Sequence, residues 1–411
     1  MAPLQAESLE SAVLFLENVA ANPQLAASIT HTDNKFRKRL LLAAQKVIPE
    51  LEAPEEACQR VLYNGLELPA ARIAVDLNIF NLLKDSPSPL STEDLARQSG
   101  KNPDMKLLAR VLRYLASLSM IREVDTELWT ASQLGNNLSG KGESAGVASM
   151  VDNCIVAMAT LPAFLRQHSY NPPKTKSETA FALGNRVSPD EATFFDWLKS
   201  RPENARHFNI FMGSHRIGVQ TWLDRPELIN EIADALKKVT AGKNEKGVSF
   251  VDIGGSIGHQ CKAFKKRAPG LQATIVLEDL EEVVANAELE DGIEKVAVDF
   301  LKDQPVKGAA SYYMRSVLRN WPDQYSRTIL GHLRDAMHEH SLLLIDEIVL
   351  PDRGAHRYET QLDLTMLAML NAEARTETHW RRLLSEVGMD VKDIVYYEED
   401  TKEAIIIAKK V

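Results

Sequence analysis

The chain has 411 residues, 45% of them hydrophobic and 26% charged, an ordinary globular mixture with length for two or three domains and a large core. A net charge of −9 argues against a nucleic-acid partner, because phosphate binding needs a basic face. Three scattered cysteines, Cys58, Cys154 and Cys261, fit a reducing compartment and no disulfide framework. No charged-then-apolar leader opens the chain, so a cytoplasmic protein is expected. The longest apolar stretch, 155–165, is short and contains Pro162, and no membrane span is expected from it.

Residues 1–50 read as helices with two apolar stripes, one through Val13, Phe15, Leu16 and Val19 and one over 40–47. Residues 68–83 read as one apolar helix, and Ser91 or Thr92 caps the next. A third helix, 105–119, puts Leu108, Val111, Leu112 and Leu115 on one face, and a hairpin follows over 121–124 and 128–131. Three helices and a hairpin make a winged helix, a shape that often binds DNA. The third helix carries Lys106, Arg110 and Arg113, but acids lie beside them, and the overall charge opposes that use. The apolar stripes of 1–50 and 68–83 exceed what one small domain buries, which predicts a homodimer.

Residues 146–245 read as helical throughout, with Asp152 and Asn153 as polar inclusions in the apolar helix 150–165. From Val248 strands and helices alternate, which predicts a mostly parallel sheet with helices on both faces. The expected strands are 248–253, 273–277, 294–298, 309–314, 341–346, 391–397 and 404–408, the last two an antiparallel edge pair. The domains expected are therefore 1–145, a helical and winged-helix dimerisation domain; 146–245, a helical pocket region; and 246–411, a cofactor-binding α/β domain.

The stretch FVDIGGSIGH, 250–259, ends the first parallel strand in a glycine turn that feeds a helix amino terminus, an arrangement suited to a nucleotide. Its spacing is D-x-G-G-x-x-G and not the dinucleotide fingerprint, since no glycine precedes Gly254 by two. Glu278 and Asp279, at the end of the second strand, suit two ribose hydroxyls. Ligands in such sheets sit at the strands' carboxyl ends, which makes Asp252, Gly254, Gly255, Gly258, Glu278, Asp279, Asp299, Phe300 and Arg315 the expected cofactor residues. An aromatic such as Phe300 can lie on an adenine face.

These motifs, with VDFL, YYMRSVLRNWPD, LLLIDEIVLP, LNAEARTETHW and RRLLSEVGM, resemble in order and spacing the plant caffeate-type O-methyltransferases and their fungal relatives. The resemblance covers nearly the whole chain. It implies a class I S-adenosylmethionine (SAM) methyltransferase fold, an α/β Rossmann-like sheet of seven strands behind a winged-helix dimerisation domain, with SAM as cofactor and no metal. In that family a His in the fourth-strand motif is the general base, held by two glutamates. Here Arg319 takes the place of the His, Glu347 matches one glutamate, and Ala374 stands where the other would be. Arginine has five donors and no acceptor, so it cannot take a proton.

That pattern is most similar to a fungal subgroup of O-methyltransferase-like pericyclases of pyridone alkaloid biosynthesis. They keep SAM without transferring its methyl group and act on quinone methides by Diels–Alder, hetero-Diels–Alder or Alder-ene steps. The resemblance implies a small polyketide-type substrate and the catalytic set Arg319, Asn153 and Glu347, with Asn153 near where the subgroup places a His. It implies Met158, Ser214, His215, Arg216, Met366 and Met369 for the substrate pocket. Two alternatives stand beside it: an O-methyltransferase that works by proximity, and a SAM-binding pseudoenzyme.

Overall fold

The computed structural model describes residues 6–22, 25, 28, 34–173, 175–188, 193–214, 221–243, 247–398 and 402–411. Contacts divide the chain into two units, Met1–Ala70 and Ala71–Val411. The first is helical, with Ala6–Ala21, Asn34–Leu51 and Pro54–Tyr63. Within it Val13, Phe15, Leu16, Leu42 and Ile48 are exposed.

The second unit begins with the winged module. The helix expected over 68–83 is two, Glu67–Asp76 and Ile79–Asp85, because Asn78 takes a left-handed φ of 57° that ends one and starts the other. Ser91 caps the helix Thr92–Gln98, accepting from the Asp94 N–H at 3.1 Å. The helix Met105–Ser117 buries Leu108, Ala109, Leu112 and Leu115. Strand β1 (Leu90–Ser91) joins the hairpin β2 (Ile121–Asp125) and β3 (Leu128–Ala131) in the order β1-β3-β2. At two residues, β1 has no period to read in the sequence.

Helices Lys141–Ser149 and Ile155–Gln167 run on through a π-helical turn at Met150–Cys154 and past Pro162. Lys141–Gln167 is thus long and apolar enough to cross a membrane by length and composition, which corrects the shorter estimate from 155–165. The helix Pro202–Ser214 packs on its first half and Ala180–Asn185 on its second, with Phe211 against Gly146.

The large sheet holds β4 (Val248–Ile253), β5 (Thr274–Asp279), β6 (Ile293–Ala297), β7 (Ser311–Arg315), β8 (Leu342–Ile348), β9 (Met389–Glu398) and β10 (Glu403–Lys410). Its order is β6-β5-β4-β7-β8-β10-β9; β10 runs antiparallel to β8 and β9, and the rest are parallel. Alternation puts Leu343 and Ile345 in one core and Leu342 and Leu344 in the other, so both faces are covered by helices. Along Asp323–Ala336, Ile329, Leu330 and Leu333 are buried, each worth roughly 1.5–3 kcal/mol relative to exposure. The order reverses at β4, with β5 on one side and β7 on the other, which opens a crevice at the carboxyl end of β4.

Candidate active site

The crevice is built by the turn after β4. Gly254 has φ +68°, and a Cβ there would lie 3.0 Å from Val317 and 3.7 Å from Phe300. A Cβ on Gly255 would meet the Asp252 carboxyl at 2.5 Å and Leu277 at 2.6 Å. Only glycine lets the backbone pass this close to its floor. Gly258, left-handed, starts the helix His259–Arg267. Asp279 accepts from the Ser256 N–H and the Leu280 N–H, each at 2.8 Å, so it fixes the glycine turn from the neighbouring strand.

Asp252 is buried under the turn; burial raises its carboxyl to about 7, with the Cys261 thiol donating at 3.6 Å and Arg315 opposing the rise. Arg315 lies beneath the cradle, its Nε 3.5 Å from Asp346. Asp299 turns inward on its own loop, accepting from the Leu301 N–H at 3.1 Å and pairing with Lys302 at 3.3 Å.

Glu278 does not join this group. Successive strand residues face opposite sides of a sheet, and Glu278 points away from Asp279 into the interior. It is fully buried there, accepts from Gln304 at 2.7 Å, and is raised to about 7 by burial. Of the pair, Asp279 alone lies at the glycine turn. Asp279→Ala is expected to weaken cofactor binding by about 1.5–3 kcal/mol, the range for hydrogen bonds to a charged group, read by titration calorimetry.

A second site lies beyond β7. The 3-10 turn Leu318–Asn320 carries Arg319, and Glu347 comes from the end of β8. The Arg319 backbone N–H donates to Glu347 at 3.2 Å and its Nε donates at 2.7 Å. Among the described residues its two terminal nitrogens make no hydrogen bond. Arg319, Glu347, Leu362, Met366, Glu373 and Trp380 line a cavity of about 10 Å³, the room of one water molecule. Wholly buried Arg375 holds the turn from behind. It donates to the carbonyls of Leu318 at 3.0 Å and Trp321 at 2.8 Å, and pairs with Asp323 at 2.9 Å.

Glu373 is the residue that motif reading missed. Ala374 occupies the family's glutamate position, yet Glu373, one residue earlier, lines the same cavity. Burial raises its pKa against the pull of Arg375 and His379. His379 sits 2.8 Å from Asp323 and 4.0 Å from Glu373. These three have ligand atoms within 4.8 Å of one another, but Asp323 already accepts from Arg375 and His379, which makes an ion-pair network of them. Lys176 also escaped the sequence. It lies over the face of Trp321, and burial lowers its ammonium to about 6. Trp321 in turn meets Phe300 edge-on, with centroids 5.7 Å apart.

Of the remaining expected pocket residues that the structure describes, Met366 lines the cavity and Asn153, Met158, Ser214 and Met369 do not. Asn153 is buried in the π-helical turn, donating to Ser149 at 3.0 Å and accepting from Asn204 at 2.8 Å, so its amide is spent between helices. Met369 is buried in the core with Ala157, Phe164 and Phe181. Met158 is half-buried on the helix Ile155–Gln167, and Ser214 donates to the Ile210 carbonyl. His215 and Arg216 lie outside the described residues.

Comparison with known proteins agrees with this arrangement. An O-methyltransferase domain model matches residues 231–390, and an O-methyltransferase dimerisation domain model matches 62–140. The chain is 34% identical to O-methyltransferase ucdC of Aspergillus ustus over 377 residues, 91% of this chain and 94% of that one. The chain belongs to the O-methyltransferase family. This family member is also 29% identical to O-methyltransferase lepI of Aspergillus flavus, over 93% of its own length and 96% of that protein. A solved structure of LepI in complex with SAM is similar at a TM-score of 0.82 and 29% identity, covering 96% of this chain and 100% of that one. The cofactor of this O-methyltransferase-family chain is SAM. The residues fit it: Gly254 and Gly255, where a side chain would strike Val317, Asp252 and Leu277, let the backbone turn tightly at the carboxyl end of β4, with Asp279 at the end of β5 and Phe300 beside the turn.

Proposed function

We propose that this protein is a SAM-dependent pericyclase of fungal secondary metabolism. It closes a ring on a polyketide-derived intermediate, of pyridone quinone-methide type, by a Diels–Alder, hetero-Diels–Alder or Alder-ene step without methyl transfer. The observation that carries this reading is Arg319, a cation fixed by Glu347 where the family's base would stand, with both terminal nitrogens unspent. Such a donor stabilises charge that develops on a conjugated carbonyl. The walls hold the reacting ends in one conformer, which can be worth roughly 7–11 kcal/mol at best. Gly254, Gly255, Asp279 and Phe300 hold SAM, which when bound supplies a fixed sulfonium charge and a transferable methyl group. Similarity to LepI, and to a solved structure described as a pericyclic reaction enzyme, supports the reading.

A second reading, O-methylation of a polyketide or phenolic hydroxyl, is favoured by one feature: Glu373, a residue able to act as a base, is among those that line the cavity. The similarity to ucdC points the same way. S-adenosylhomocysteine measured during turnover separates the two. The pericyclase forms its product with none accumulating; a methyltransferase makes one per product, and that stoichiometry would sink the first reading. We further propose that the protein is a cytoplasmic homodimer, a state supported by the dimerisation domain at 62–140 and the exposed apolar residues of 13–48.

A further inference from the structure

Lys176 lies between the helices Ile155–Gln167 and Ala180–Asn185, on a stretch that is tied down on both sides of it. Asn371 donates to the Thr175 carbonyl at 3.4 Å, and Glu178 pairs with His168 at 2.9 Å. Between these ties the Lys176 ammonium lies over the Trp321 ring. Among the described residues it makes no hydrogen bond and no ion pair. Burial is what lowers its pKa to about 6, and no acid stands close enough to pull it back up.

A lysine so placed lacks a partner. An ammonium carries three donors. The indole face attracts the charge, but it has no lone pair in the plane of a carbonyl or carboxylate kind, and a buried polar group left unpaired costs free energy. The acids of the neighbouring elements are engaged elsewhere: Glu178 by His168, Glu347 by Arg319, and Asp323 by Arg375 and His379. Glu373 responds to Arg375 and His379, not to Lys176. Around Trp321, Phe300 and Tyr325 present rings, and His332 donates to the Phe300 carbonyl at 3.1 Å. None of these supplies an acceptor to the amine, and a ligand in the crevice can.

We propose that Lys176 anchors a carboxylate of the substrate, bound against Trp321 beside the turn of Arg319. The proposal rests on the reading that this turn faces the substrate, and it adds the class of compound accepted, an acid bound as its anion. A monoanion suits a lone amine; a phosphate would want a second cation, and none acts on Lys176. Trp321 directly follows the turn that carries Arg319, and its ring meets Phe300 of the cofactor wall. A carboxylate on Lys176 therefore holds the rest of its molecule at the wall that the two sites share. The contact also acts on the amine: an anion against it favours the charged form, so binding draws a proton from solvent.

The test uses the full-length protein saturated with SAM, 2-naphthoate as the probe and 2-naphthamide as its uncharged control. At pH 8 the native protein is expected to bind naphthoate and take up a proton, as read by calorimetry in buffers of different ionisation enthalpy. Lys176→Met should bind naphthoate roughly 10- to 100-fold more weakly, the worth of a hydrogen bond to a charged group, with no proton taken up. Naphthamide should bind both proteins alike. Lys176→Arg should restore most of the affinity without the proton, because arginine is charged at any working pH. Equal naphthoate affinity in Lys176→Met, or no saturable binding by the native protein, overturns the proposal. So does a loss of SAM affinity in that variant with naphthoate binding unchanged, which gives the amine to the cofactor's own carboxylate. Arg319→Ala separates the two layers. If Lys176→Met loses naphthoate while Arg319→Ala reacts at the native rate, the anchor stands and the reading of the Arg319 turn fails. If Arg319→Ala loses the rate while Lys176→Met binds naphthoate as the native protein does, only the anchor fails.

Discussion

Arg319→Ala is expected to lose roughly 100- to 1,000-fold in kcat, about 3–4 kcal/mol of barrier, the cost of deleting one preorganised donor at a developing negative charge. The loss should fall on kcat while SAM affinity stays, because the cofactor residues Gly254, Asp279 and Phe300 belong to a separate set of loops. Arg319→Lys should recover only part of the rate. Lysine keeps the charge, but it lacks the planar fork with which Arg319 bonds Glu347 through Nε and leaves two nitrogens for the ligand. Single-turnover rates together with calorimetry for SAM decide this. An unchanged rate in the alanine variant would falsify the assignment of Arg319. Arg319→His offers a discriminating comparison: a methyltransferase should gain from a restored base, and a pericyclase should not.

The second large effect is expected at Arg375. Its guanidinium is wholly enclosed and satisfies the carbonyls of Leu318 and Trp321, the Ser326 hydroxyl and Asp323. Arg375→Met has nearly the right volume but leaves Asp323 short of a cation and two carbonyls without donors. Breaking a buried pair in this way costs about 3–5 kcal/mol. Denaturant midpoints measured with a constant slope should show that loss. A shift within about 0.5 kcal/mol, the range of ordinary surface substitutions, would mean that the turn at 318–321 does not depend on this clamp. Asp323→Asn should lose less than Arg375→Met, because its amide oxygen can still accept from Arg375 while its NH2 donates to His379 Nε2.

The sheet was the most legible part of the sequence. Strands buried on both faces read as unbroken apolar runs, and Val248–Ile253 has the bounds expected, while each end of the other six differs by one or two residues. The glycine turn was equally plain, since a chain bending that tightly has few alternatives to glycine. Where the sequence misled, the cause was local geometry that composition does not encode. Asn78 breaks one helix into two through a positive φ, with no glycine or proline to mark the break. Pro162 lies inside a helix that is continuous with the one before it, so the apolar segment runs well beyond 155–165. The pair Glu278–Asp279 reads as two ribose acids, but strand alternation sends them to opposite faces. Around 371–376, aligning the motif puts Ala374 in the glutamate's place, while the path of the loop brings the neighbouring Glu373 to the cavity wall. Nothing in one sequence marks Arg375 as a clamp, because its partners are backbone carbonyls more than fifty residues away.

Trp321 belongs to both sites at once. Its ring meets Phe300, which borders the cofactor turn at Gly254, and its carbonyl is tied to the clamp that fixes the turn of Arg319. The two ligands therefore share a wall. A cofactor that pressed Phe300 toward Trp321 would act on the turn of Arg319, and a substrate that displaced this turn would act on the cofactor's wall in return. Thermodynamic reciprocity then sets the terms: whatever factor SAM contributes to substrate affinity, the substrate returns to SAM in equal measure.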